Sequence, residues 1–139
     1  MLHQVDVEKY DALAFPGGFE EAGFYEDAFY PDFLELIRRF HRKNKIIASV
    51  CVGALALGKS GVLNGKQGTT YHLSEGRRRK QLAEFGVNVV DQPIVVDGNI
   101  ITSSCPGTGI GVAARLLEML TTKENADKVL KAMGFETTD

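Results

Sequence analysis

The sequence predicts an α/β fold, a mostly parallel sheet covered by helices, and three observations carry that prediction. Short apolar runs of strand length alternate with amphipathic stretches along the 139 residues. Glycine-containing turns mark the joints between them. One antiparallel pairing declares itself as a β-hairpin over residues 93–103, two β-branched arms around Asp97-Gly98. With 44% apolar and 24% charged residues, the chain holds enough apolar surface for one core, so residues 1–139 read as a single domain.

The elements follow in order. Tyr10 to Phe15 reads as a buried strand ending at Pro16-Gly17-Gly18, where glycine lets backbone approach a ligand closely. From Phe29 through Arg42, the apolar residues Phe29, Phe33, Leu36, Ile37 and Phe40 recur at helical spacing, which predicts a surface helix on the sheet. Lys45 to Val50 is a second strand-length run, and it breaks at Cys51 into a small-residue helix stopped by Gly61. A short strand is expected near Gly68 to Tyr71. Ser74 is expected to cap the next helix, which carries Arg77-Arg78-Arg79-Lys80 and ends at Phe85-Gly86. Val87 to Val90 follows as a strand. The hairpin then delivers Ser104-Cys105-Pro106-Gly107-Thr108, with Thr108 opening a helix through Leu120, and Lys123 to Phe135 closes the chain as an amphipathic helix.

Composition excludes several function classes. A formal net charge of −2 makes no electrostatic case for nucleic acid. The run Arg77 to Lys80, flanked by Glu75 and Glu84, reads as a solvated helix face. No apolar run reaches bilayer-spanning length, and Met1 to Asp6 lacks a basic region followed by an apolar stretch, so a cytoplasmic protein without a membrane partner is expected. The two cysteines stand far apart, outside Cys-x-x-Cys or Cys/His metal spacing, which predicts reduced thiols and no metal site.

Cys51 is the main candidate for chemistry. A tight strand-to-helix turn lifts one side chain above the sheet and aims the helix's first N–H groups at it. That placement predicts a thiol pKa below its ordinary value and donors for a developing oxyanion. The opposing reading is a buried cysteine that only packs.

Several spaced motifs together resemble one family. Pro16-Gly17-Gly18 after a strand, Ala48 to Gly53 at the elbow, Gly61 to Gly65 before Thr69-Thr70, Val96 to Ser103, and Pro106-Gly107-Thr108 occur in the order of the ThiJ/PfpI family, the DJ-one superfamily with a class I glutamine-amidotransferase-like fold. The resemblance covers roughly Tyr10 to Leu120. It implies a flavodoxin-like three-layer α/β/α sandwich, commonly a homodimer, with Cys51 as elbow nucleophile. It also implies an oxyanion and substrate pocket at Gly17, Gly18, Val52 and Thr70, with Pro106 in a loop beside the nucleophile. Members hold glyoxalase, deglycase, isonitrile hydratase, peptidase, chaperone and redox-sensing roles, and fold and nucleophile do not choose among them. The Cys51 to Thr70 stretch is most similar to the isonitrile-hydratase and regulator-associated branches.

Three departures bear on mechanism. The family's N-terminal strand-helix-strand region, with a central strand and a glutamate that bonds the thiol, has no counterpart here, so the chain is expected to be incomplete relative to the family. Glu20, Glu21 and Glu26 are the carboxylates available in its place, and a missing strand leaves an exposed apolar edge. Val52 stands where peptidase members carry histidine, which counts against peptide hydrolysis. Tyr71 stands where other members have histidine after Thr-Thr, and His72 comes one residue later. Either Tyr71 lines the pocket or a bulge turns His72 inward. His3 and His41 are expected to be exposed. Cys105 is either a resolving thiol for an oxidised Cys51 or a small buried filler.

The leading expectation is a cysteine-dependent hydrolase or lyase acting on a small electrophile: a reactive aldehyde, a glycated adduct or an isonitrile. Cys51 attacks, the Gly18 and Val52 amides receive the oxyanion, and Tyr71 or His72 assists proton transfer, without metal or organic cofactor. The competing expectations are a redox sensor or stress chaperone whose Cys51 is oxidised without turnover, and a non-catalytic fragment.

Overall fold

The computed structural model describes residues 1–136. Its strands are β1 (Ala12–Phe15), β2 (Ile46–Ser49), β3 (Gln67–Gly68), β4 (Asn88–Val89), β5 (Ile94–Asp97) and β6 (Ile100–Ser103). Its helices are α1 (Phe24–Ala28), α2 (Pro31–Arg42), α3 (Ala54–Ser60), α4 (Arg77–Glu84), α5 (Gly109–Leu120) and α6 (Lys123–Ala132). The main sheet runs β1-β2-β6-β5, parallel except where β5 meets β6 in the expected hairpin, which turns at Gly98-Asn99. β3 and β4 form a separate parallel pair.

The sheet is buried on both faces, as a parallel sheet with helical crossovers must be. Successive side chains on a strand point to opposite faces, so Ile47 and Ile100 enter a core with Ile37, Phe40, Leu55 and Leu57, while Ala48 and Ile101 enter a second with Val112. α2 and α3 therefore cover one face and α5 the other, with α6 packed on α5. This is the three-layer, flavodoxin-like sandwich. Full burial of a side chain such as Ile37, Phe40 or Ile47 contributes about 1.5–3 kcal/mol.

Register sets up the site. Phe15 lies opposite Ser49, so β1 and β2 end together and Pro16-Gly17-Gly18 emerges beside Val50 and Cys51. The Val50 N–H donates to Phe15 O at 3.2 Å and extends that pairing by a residue. Ala48 lies opposite Ile101, which carries the end of β6 past the same point. β1 pairs with β2 alone among the described residues, and Ala14 on it is exposed. An apolar hollow of about 400 Å³, lined by Leu2, Phe15, Phe24, Tyr30 and Phe33 among others, lies next to it. No helix is long and apolar enough to cross a membrane among the described residues.

Several local expectations need correction. The helix expected from Phe29 begins two residues later, because Phe29 caps α1 and Pro31 opens α2, where a missing N–H costs nothing. The strand at Gly68 to Tyr71 is confined to Gln67–Gly68, since the Thr69 N–H donates to the Thr102 hydroxyl (2.9 Å) rather than to a ladder carbonyl. Ser74 caps nothing. It opens three consecutive left-handed residues, Ser74, Glu75 and Gly76, and α4 begins at Arg77 behind Gly76. The Arg77 to Lys80 run is not simply solvated, because the Arg78 and Arg79 side chains are largely buried and bond Glu20 and Asp91. His3 is exposed, but His41 is half-buried on α2. α6 stops at Ala132, short of Phe135.

Candidate active site

Cys51 occupies the elbow in a left-handed conformation, φ 56°. For a residue with a β-carbon that conformation costs about 1–3 kcal/mol and persists only where the surroundings over-determine it. Here they do. Its N–H donates to Ser103 Oγ at 3.2 Å, its carbonyl accepts from Thr70 Oγ1 at 3.0 Å, and Ser103 Oγ in turn donates to Ser49 O at 3.4 Å. Both peptide groups of Cys51 are thus held by side chains from the ends of two other segments. Cys51–Gly53 forms one 3-10 turn that leads directly into α3.

Small residues allow the Pro16-Gly17-Gly18 turn to lie against this elbow. A β-carbon on Gly17 would stand 3.1 Å from both Val50 O and Val52 N, and one on Gly53 would stand 2.9 Å from Pro16 O. Gly53 has ordinary helical angles, φ −55° and ψ −29°. Helix propensity alone therefore favours Gly53→Ala by up to about 1 kcal/mol. The contact with a rigid backbone carbonyl reverses the sign, and we expect Gly53→Ala to lose about 1–3 kcal/mol in urea melts. A neutral or stabilising result would show that the two turns are not pressed together.

The charge state of Cys51 differs from the expectation based on a helix end. The thiol is 8% exposed, and its pKa is raised above the 9.0 of an ordinary thiol. Burial is the largest cause; the Val52 N–H bonds the sulfur and holds it down, while the charge of a nearby Cys105 pushes it up. The turn behind Cys51 is a single 3-10 turn followed by a seven-residue helix, too little aligned dipole to outweigh desolvation.

The remaining candidates divide. Tyr71 is half-buried against the core cluster that contains Cys51 and Val52, whereas His72 is exposed with Nδ1 3.3 Å from Ser104 O. Tyr71 therefore faces inward and His72 stands on the rim. Thr70, expected beside the substrate, is fully buried and commits its hydroxyl to Cys51 O, so it braces the elbow instead. Gly18 and Pro106 are exposed, Gly17 is half-buried, and Cys105 is half-buried in the loop after β6. Gly17 and Pro16 also line the apolar hollow beside β1, which Cys51 does not reach.

The carboxylate substitution finds no support in the geometry. Glu20 Oε2 accepts from Arg78 at 2.8 Å and Arg77 at 3.2 Å, which lowers its pKa, and Glu21 and Glu26 are exposed. None of the three is among the groups that shift the thiol.

Two participants escaped the sequence reading. Tyr25 is close enough to Cys51 that a thiolate there, after burial and with Glu20, raises the phenol, against the opposing charge of Arg78. The Arg78 guanidinium lies 4.5 Å from the centre of the Tyr25 ring and so clips α4 onto α1. Ser103 is the second. It belongs to a strand-end motif, but only the register of β6 against β2 shows that it bonds the Cys51 N–H.

Known proteins resemble this chain in sequence and fold. The chain is 34% identical over 130 residues to the glutathione-independent glyoxalase DJ-1 of Schizosaccharomyces pombe, covering 93% of this chain and 64% of that protein. It is 34% identical over 106 residues to the deglycase PfpI of Pyrococcus furiosus, covering 75% of this chain and 58% of that one. The crystal structure of Drosophila melanogaster DJ-1beta superposes with a TM-score of 0.84 at 31% identity, covering 98% of this chain and 70% of that chain. The chain spans about half to two thirds of the length of curated relatives such as these and the Drosophila melanogaster protein dj-1beta. With a family model matched over residues 1–119 and an elbow cysteine set among parallel strand ends, the chain belongs to the DJ-1/PfpI family.

Proposed function

We propose that this protein acts on reactive carbonyl compounds, a 2-oxoaldehyde or the adduct it forms with an amine, with Cys51 as nucleophile. The observation that carries the reading is the braced, left-handed Cys51 with the Val52 N–H on its sulfur. Structural cysteines do not need that strain. The names of the glyoxalase and deglycase relatives point to the same class of electrophile.

In this reading the Cys51 thiolate attacks the aldehyde carbon, a C–S bond forms, and the carbonyl π pair moves onto oxygen. The N–H groups of Val52 and Gly18 receive that oxyanion. A proton then leaves the former aldehyde carbon and one is delivered to the neighbouring carbon. The resulting thioester is hydrolysed by water, so the net change is addition of one water to give a 2-hydroxy acid. Tyr71, half-buried against the cluster that contains Cys51, is assigned the proton relay, with His72 at the rim. Tyr25 and the Arg78 stacked on it form one wall. Val52 offers no base for an amine leaving group, which counts against peptide hydrolysis. The same reading takes the working form to be a cytoplasmic homodimer.

The test offers methylglyoxal, a glycated amine and cyclohexyl isocyanide to the reduced protein at pH 9, before and after its thiols are blocked with iodoacetamide. Methylglyoxal is expected to be converted catalytically to lactate, and the blocked protein to be inert. Consumption that survives blocking, or turnover of the isocyanide alone, would overturn the carbonyl reading.

A further inference from the structure

We propose that Cys105 is a resolving thiol: once a hydroperoxide has oxidised Cys51, the two cysteines close an intrachain disulfide that stores the nucleophile in a reversible form. The geometry begins at the end of β6. The Ser104 N–H donates to Pro93 O at 2.9 Å and so continues the hairpin ladder beyond Ser103. Cys105 is itself extended, φ −164° and ψ 166°. The chain bends at Ser104 and Cys105 directly after Ser103, whose Oγ meets the Cys51 N–H at 3.2 Å. Cys105 therefore stands two residues beyond the group that braces the Cys51 peptide, at the same end of the sheet.

Independent features agree. The charge of Cys105 reaches Cys51, and it is one of the influences on that thiol. The loop is fixed at Cys105 O, which accepts from the Thr108 N–H (3.1 Å) and hydroxyl (2.6 Å). On its other side His72 Nδ1 lies 3.3 Å from Ser104 O. Cys105 is only half-buried, so a reagent that enters beside Cys51 meets a second thiol at the same mouth.

The chemistry balances with a hydroperoxide as oxidant. The Cys51 thiolate attacks the peroxide, an S–O bond forms, the O–O bond breaks, and the departing oxygen leaves as water or alcohol after taking a proton. Cys105 then attacks the Cys51 sulfenic acid, the S–S bond forms, and the sulfenic hydroxyl leaves as water with the proton of the Cys105 thiol. Two thiols supply the two electrons that reduce the peroxide. Without the second thiol, sulfenic acid climbs to sulfinic acid, which reductants do not reverse.

The experiment reads masses and needs no turnover, so it stands or falls apart from the carbonyl reading. The reduced full chain is treated with one equivalent of hydrogen peroxide at pH 8.5, digested without reductant and analysed by mass spectrometry. A Cys51-to-Cys105 linked peptide, reversed by dithiothreitol, is expected. In Cys105→Ser and Cys105→Ala, dimedone capture at Cys51 should rise at least tenfold and sulfinic acid should follow. Wild type that reaches sulfinic acid at Cys51 while Cys105 stays alkylatable, or that links only between chains, would overturn the proposal.

Discussion

Cys51→Ala is expected to lower turnover of a 2-oxoaldehyde by at least about a thousandfold, equivalent to about 4 kcal/mol on the barrier. The methyl group removes the attacking lone pair and nothing else of comparable size. The backbone braces at Ser103 and Thr70 bind main-chain atoms of residue 51, so they survive the change. Cys51→Ser keeps the shape and is expected to be nearly as poor. A hydroxyl is a far weaker acid than a thiol, and burial at 8% exposure opposes its ionisation too. Initial rates of lactate formation, with circular dichroism to confirm folding, measure both. Retention of more than a tenth of wild-type kcat/KM in the alanine variant would move the chemistry away from Cys51.

Wild-type turnover and alkylation of Cys51 should both climb about tenfold per pH unit from pH 6 to 9, about a thousandfold in all, because thiolate grows tenfold per unit below the pKa. The sign follows from burial, which penalises the charged thiolate and outweighs the Val52 N–H. Stability carries the same signature in reverse. As pH rises past 9.0, the unfolded thiol gives up its proton while the folded one keeps it, so folding free energy falls through that window and levels off above the folded pKa. Cys51→Ala should lack that fall. Iodoacetamide rates across the pH series decide the matter, and a plateau below pH 7 would show a thiolate stabilised as the helix-end argument expects.

The contrast between those two arguments shows where sequence reasoning reaches its limit. The elbow itself was legible, because an apolar run breaking into small residues at Cys51 is a local pattern. Local too were the hairpin around Asp97-Gly98 and the Pro16-Gly17-Gly18 turn. Ser74 misled because a capping residue type was read without the backbone angles that place it three left-handed residues ahead of α4. Tyr71 and His72 stayed open until packing turned the first toward the core and left the second at the rim. Thr70 was expected beside the substrate, but its hydroxyl serves the Cys51 carbonyl across 19 positions of sequence.

By itself, the sequence determined the layered α/β architecture, the family, and which sulfur stands at the strand-to-helix joint. Each of these follows from periodicity, turn chemistry and motif order, interactions between near neighbours in the chain. Only the tertiary structure decided that burial raises the Cys51 pKa, that Ser103 holds its N–H while no loop glutamate acts on its thiol, that Glu20 is committed to arginines, and that Tyr25 and Cys105 share its surroundings. Desolvation and electrostatics act through space. They depend on which residues the sheet register brings together, and that register exists only once the chain has folded.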